Sequence, residues 1–280
     1  VEVILFGDDE GAAEASRELG ICHEPEIRKA EHGTKYLNYL FGRAQQIARH
    51  NIVCYVNCDI ILTSGFRKGI EIAASLGRPF LMVGHRWDIN ITEPWDFSQS
   101  DWEERLMSVV SQRGKQQTDW YIDYFAFTRG LYQEIPPLVI GRVRWDNWLV
   151  WRARSLGAKV IQASPLVKAI HQNHDYAYHP AGAAGVWSDD LAQRNYALAG
   201  GEDHMNTIQD APYEFRGLRV RHKPDRYSRA IRAVRLRIRQ TWFALLNVTR
   251  GFRHALGLRH KNISTLRAKL GSERGQNRPE

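Results

Sequence analysis

Between residues 34 and 87 the chain alternates two kinds of apolar pattern, and that alternation restricts the fold more than any other feature. "TKYLNYLFGRAQQIARH" places Tyr36, Leu37, Leu40, Phe41, Ala44, Ile47 and Ala48 three and four residues apart, the spacing of an amphipathic helix, with Thr34 available as its cap. "IVCYVNCDIIL" follows as a nearly continuous apolar run, then the helical "FRKGIEIAASLG", then a second such run, "PFLMVGHRW". Upstream, "VEVILFG" reads as a strand and "GAAEASRELG" as a short helix closed by Gly20. Strands that are apolar without alternation are buried on both faces, as in parallel sheets covered by helices. The expected fold is therefore α/β, a mixed, mostly parallel sheet flanked by helices.

A chain of 280 residues can bury a core large enough to fold without staples. Its three cysteines, Cys22, Cys54 and Cys58, suggest neither a disulfide framework nor a thiolate zinc site, and a reducing compartment is the natural reading. No run approaches 18 uninterrupted apolar residues, and "VEVILFGDD" does not have the pattern of an export signal. Because the chain opens inside a strand-like run, a preceding segment is expected upstream of Val1.

Charge divides the sequence. Residues 221–280 carry 16 Lys and Arg against 3 Asp and Glu, a net of +13, which leaves −5 for residues 1–220 out of a total of +8. We read residues 1–220 as the folded domain and 221–280 as a basic helical tail with a disordered end. In the tail Tyr227, Ile231, Val234, Ile238, Trp242 and Leu245 share a face while arginines fill most other positions. A basic amphipathic helix suits an anionic membrane surface, or it packs on its own acidic domain. With no aromatic stacking platform or recognised motif beside the arginines, no nucleic acid is expected as a partner.

In open α/β sheets ligands gather beyond the carboxyl ends of the strands. Asp8, Asp9, Asp59, Arg86 and Asp88 all stand at or just past such ends. Any one of them also serves as a turn residue, but five at one edge point to a site. Further on, Asp146 precedes a helical run containing Trp148, Leu149, Trp151, Ala153 and Leu156, and "AIHQNHD" supplies His171 and His174. The stretch between residues 92 and 137 is polar and Trp-rich at first and reads as a mobile acceptor-side segment. Asp123 interrupts the strand-like "WYIDYFAFTRG" and is placed on the acceptor side. Residues 179–215 read as a lid.

In their order, these blocks resemble the glycosyltransferases of the GT-A fold, a Rossmann-like architecture, and especially the inverting family 2-like enzymes, over roughly residues 1–215. "VEVILFGDDEG" is similar to the strand and acidic turn that face the nucleotide. "GTKYLNYLFGRAQQIARHNIVCYVNCDIIL" is similar to the Gly-to-Asn helix leading into the metal-binding Asp-x-Asp, here Asn57-Cys58-Asp59. "RWDNWLVWRARSLGAKVI" resembles the Glu-Asp element that carries the catalytic base. The resemblance implies Asp146 as base; Asp8, Asp9, Gly33, Asn38, Asn57 and Arg86 on the donor; Trp145 with Asp123 on the acceptor; and Asp59, His171 and His174 as metal ligands.

The implied reaction is inverting transfer of a sugar from a nucleotide-diphosphate donor to a glycan or polysaccharide-precursor hydroxyl. Mn²⁺ or Mg²⁺ would stabilise the departing diphosphate, and one carboxylate opposite the leaving group would take the acceptor's proton. Asn57 in place of an Asp, Trp145 in place of a Glu and the absent first strand depart from the family. Asn57 and the absent first strand favour the alternative of a noncatalytic glycan- or nucleotide-binding module; a sugar-phosphate nucleotidyltransferase shares the fold type but would need a Gly-rich, Lys/Arg-bearing phosphate loop after the first strand, which is not visible here. The expected location is cytoplasmic, peripheral on the inner face of a membrane.

Overall fold

A computed structural model describes residues 1–175 and 179–223. The basic tail beyond residue 223, with the amphipathic face expected there, lies outside the described residues. Among those residues no helix is long and apolar enough to cross a membrane.

Strand β1 (Ile4–Phe6) leads to α1 (Ala12–Leu19), which Gly20 closes in the left-handed region, and to β2 (Cys22–Glu24). Next come α2 (Leu37–Ile47), β3 (Ile52–Val56), β4 (Ile60–Leu62) and α3 (Gly65–Ala74). Strands β5 (Phe80–Val83) and β6 (Arg86–Ile89) precede α4 (Trp102–Arg113), β7 (Lys115–Gln116) and β8 (Tyr124–Thr128). Helix α5 (Trp145–Ser155) is followed by β9 (Lys159–Gln162) and β10 (Ala169–Gln172). Helices α6 (Gly182–Ser188) and α7 (Asp190–Leu198) and the hairpin of β11 (Tyr213–Arg216) and β12 (Arg219–His222) complete the described chain.

The α/β class read from the sequence holds, with mixed sheets flanked by helices. The parallel proportion does not. In the six-stranded sheet, ordered β12-β11-β9-β5-β8-β3, β5 and β11 run parallel to β9, but β8 lies antiparallel between β5 and β3. Its sequence "YFAFT" is buried on both faces, so an antiparallel strand in a covered sheet is as continuously apolar as a parallel one. A smaller sheet, β4-β10-β6-β7, and the parallel pair β1-β2 stand apart from it.

Two runs that read as single strands are each broken. β3 and β4 part at Asn57-Cys58-Asp59, β5 and β6 at Gly84-His85, and in both cases the chain passes from the six-stranded sheet to the four-stranded one. β9 and β10 make the same passage. The breaks in β5 and β9 are fastened together: the His85 backbone N–H donates to Ser164 Oγ at 2.8 Å, and the Ser164 hydroxyl lies 2.9 Å from His85 Nδ1. His85 Nε2 is 2.8 Å from Asp119 Oδ1. Residue 84 must be glycine for this closeness, since a Cβ there would fall 2.4 Å from the Tyr124 hydroxyl.

One core cluster packs Leu37, Phe41, Phe125, Phe127 and Leu149, from α2, β8 and α5, on one side of the large sheet. A second packs Phe80, Met82, Tyr124 and Ile161. The third sets Leu106 and Val110 of α4 under Ile89 and Ile170 of the small sheet, so part of the stretch expected to be a mobile acceptor segment is the helix that supports this sheet. Thr34 does not cap α2. Its hydroxyl donates to the Glu31 carbonyl, and the helix starts after Tyr36 in extended conformation.

Candidate active site

The small sheet aligns its polar residues by register. His171 on β10 lies opposite Asp88 of β6 on one side and Ile60 of β4, next to Asp59, on the other. The Gln172 N–H donates to the Asp59 carbonyl at 2.9 Å, holding the end of the broken strand in place. His171 Nε2 then lies 3.5 Å from Asp59 Oδ2, and His174 Nε2 lies 3.1 Å from the same oxygen. The ligand atoms of these three residues all lie within 4.8 Å of one another.

Asp59 Oδ1 is buried and accepts no hydrogen bond among the described residues. A buried carboxylate oxygen left without a donor is costly in a native structure, and a cation at this position would satisfy it. His171 is buried while the His174 side chain keeps 42 % of its surface, so the cluster is open on one side. Burial raises the Asp59 pKa, but hydrogen bonding and charge from His171, with the charge of His174, outweigh it and hold the carboxyl below its ordinary 3.8. Two imidazoles and one carboxylate fit a divalent cation.

Behind the cluster runs a buried polar chain. Asp88 Oδ1 lies 3.2 Å from His171 Nδ1 and 2.8 Å from Arg86 Nε, while Asp88 Oδ2 accepts from Gln117 at 2.6 Å. Arg86 donates through one guanidinium nitrogen to both oxygens of Asp123 at 3.2 Å. Asn57 Nδ2 donates to Asp123 at 2.9 Å, and the Tyr55 hydroxyl donates to Asn57 Oδ1 at 2.8 Å. Residue 57 thus supplies a donor to a buried carboxylate, which an Asp could not do when ionised. Burial raises the pKa of Asp123, the charges of Arg86 and His171 lower it, and burial wins.

Asp146 stands in the first turn of α5. Burial pushes its carboxyl up to about 7, against backbone N–H groups that lower it, with the charge of Asp123 raising it further and that of Arg144 opposing. Arg144, just before the helix, has φ 89°, a left-handed conformation that is strained for any residue with a Cβ. Such strain persists where surrounding structure enforces it, often at functional sites. Here the enforced turn fixes how α5, and with it Asp146, leaves the preceding loop.

The sequence-derived residues fall into three groups. Asp59, His171, His174, Asn57, Arg86 and Asp123 form one connected network, and Asp146 senses Asp123 electrostatically. Asp8 pairs with Lys29 and Asp9 with Lys35, 2.7 Å apart. Lys35 and Asp9 both act on the Cys58 thiol, which brings that turn beside the Asn57–Asp59 motif. Gly33 ends a 3₁₀ turn with φ 72°, and Asn38 is exposed near the start of α2. Trp145, expected to face an acceptor, is only 6 % exposed and packs its ring against Tyr55 and Phe125.

Gln117 and Tyr55 are site neighbours that the sequence does not single out, whereas Asp88 is one of the five strand-end residues that do point to this edge, and it shares a strand face with Arg86 two residues earlier. Comparisons with protein-family models, with curated proteins and with solved structures find no match to this chain.

Proposed function

We propose that the chain is a metal-dependent, inverting glycosyltransferase using a nucleotide-diphosphate sugar and a glycan hydroxyl. The observation that carries this reading is the pairing of a His₂Asp cluster around a buried, undonated carboxylate oxygen with a separate carboxyl poised near neutrality. Asp59, His171 and His174 would hold Mn²⁺, which supplies Lewis-acid stabilisation of a diphosphate's negative charge. Arg86 and Asn57 hold Asp123 in place, and Asp146, ionised as pH rises through about 7, accepts the proton of the attacking hydroxyl. The acceptor oxygen bonds to the anomeric carbon as the bond from that carbon to the diphosphate oxygen breaks. The nucleotide diphosphate departs with the electron pair, and configuration inverts. The basic tail, on its sequence alone, would hold this chemistry at an anionic membrane surface.

The test begins with calorimetry of UDP and GDP, each with and without Mn²⁺, on the intact chain and on Asp59→Ala. Mn²⁺-dependent binding is expected for one nucleotide and is expected to vanish in the variant without a change in thermal midpoint. Release of nucleotide diphosphate from a panel of nucleotide sugars then separates a transferase from a binding module. Tight binding with no turnover over the whole panel would make this a noncatalytic domain, and equal binding without metal would remove the cluster from the site.

A further inference from the structure

One large aromatic side chain beside this network stands in solvent. Trp187, on α6, is 51 % exposed. Its ring meets Tyr121 edge-on with 6.2 Å between centroids, and Tyr121 carries the Arg86 guanidinium over its own face at 4.9 Å. Arg86 in turn grips Asp123. The indole is therefore two contacts away from the buried ion pair of the proposed active site.

The segment that bears Trp187 is built, not merely draped. Asp189, which ends α6, accepts from the Ala192 N–H to cap α7, from Arg142 Nε at 2.6 Å, and lies 3.3 Å from His179 Nε2. The Arg142 side chain is 2 % exposed and stands four residues before Asp146. At Gly185 a Cβ would fall 1.9 Å from His179 Cε1, so α6 can close on that imidazole only because residue 185 has no side chain. The indole touches one neighbour, and the segment that carries it is anchored through another. Tyr121 ties the ring to the stretch that carries Asp123, and Asp189 ties the segment to the turn that launches Asp146.

Leaving half an indole in water forgoes hydrophobic stabilisation, and here the ring stands against Tyr121, beside the network. We propose that Trp187 is the stacking platform for a neutral pyranose ring of the acceptor, a role that rests on the transferase reading for its catalytic meaning but not for its binding. The C–H face of a chair pyranose is apolar and matches an aromatic face, while the ring hydroxyls stay hydrated at the edge. Exposed Asp190, three residues on, disfavours sulfated or phosphorylated glycans by like-charge repulsion.

The intact chain, Trp187→Ala and Trp187→Phe are applied to an array of defined neutral and anionic oligosaccharides without metal or nucleotide, and UDP and GDP binding with Mn²⁺ is measured on the same samples. The intact chain should retain neutral pyranosides, Trp187→Ala should bind them at least tenfold more weakly, and Trp187→Phe should keep most of the affinity. Nucleotide binding should be unchanged in both variants. The platform is overturned if the intact chain retains no glycan, if Trp187→Ala binds as before, or if Trp187→Phe loses glycan and nucleotide binding together. Trp187-dependent glycan binding in a chain that shows no Mn²⁺-dependent nucleotide binding would leave the platform standing and remove the transferase.

Discussion

Asp59 and Asp146 are both partly buried carboxylates at the edge of one α/β domain, yet their surroundings drive them in opposite directions. Asp59 faces two imidazoles and is held below its ordinary pKa. Asp146 faces a helix start and another carboxylate, and is raised to about 7. Burial is the largest influence on each, so what separates them is the charge of their neighbours. Environment alone can thus equip one residue type to hold a cation and another copy of it to exchange a proton.

The largest expected effect sharpens that division. Asp146→Asn keeps the size and a capping oxygen, so Mn²⁺-dependent nucleotide binding should survive while the transfer rate falls by about 10²- to 10⁴-fold, the usual contribution of a positioned base. Equal losses in binding and rate would mean that the two carboxylates do not have separate tasks.

A smaller effect follows from the raised pKa itself. The folded state holds a proton on Asp146 that the unfolded chain gives up near pH 3.8. The stability gained from the neutral carboxyl is therefore complete below that pH and lost as pH rises through about 7. Urea unfolding at several pH values should show the intact chain losing roughly 2–4 kcal/mol relative to Asp146→Asn between pH 4 and pH 8. A constant gap would mean that the carboxyl is not displaced. Asp59, with a lowered pKa, has the opposite sign: its contribution is present above pH 3.8 and is lost as the solution is acidified below it.

The smallest expected change probes the support behind the cation side. Asp88 Oδ1 lies 3.2 Å from His171 Nδ1; if that carboxylate orients the ring, Asp88→Asn should weaken Mn²⁺ affinity by about 10- to 100-fold without touching Asp146. Calorimetry with Mn²⁺ alone reads this directly, and unchanged affinity would show that the β-ladder suffices to aim the histidine.

The class of fold was legible in the alternation of apolar runs and amphipathic helices, and so were the separate ingredients of the site. What sequence could not convey was that "IVCYVNCDIIL" and "PFLMVGHRW" each serve two sheets. Periodicity reports whether a strand is buried, not which neighbour it bonds to; the break at Gly84-His85 is visible only once Ser164 and Tyr124 close on it, and the break at Asn57–Asp59 only once Asp123 and Gln172 bond to its two ends. The direction of β8 was hidden for the same reason. Trp145 shows the complementary failure: a residue adjoining a candidate base was read as facing ligand, and its ring instead fills the core beside Tyr55. Trp187 went unnoticed because an aromatic in a Gly- and Ala-rich stretch has no periodic signature.

The left-handed turn at Arg144 bears on how this molecule could change over time. A glycine there would adopt φ 89° without the penalty of about 1–2 kcal/mol that a Cβ incurs, so the fold alone would favour losing the arginine. Arg144 also lies over the Tyr196 ring at 5.6 Å and sets its charge near Asp146, contributions that a glycine would abolish. Position 144 is therefore where ease of backbone conformation and the charge set around Asp146 call for different residues, and the arginine that occupies it serves the second.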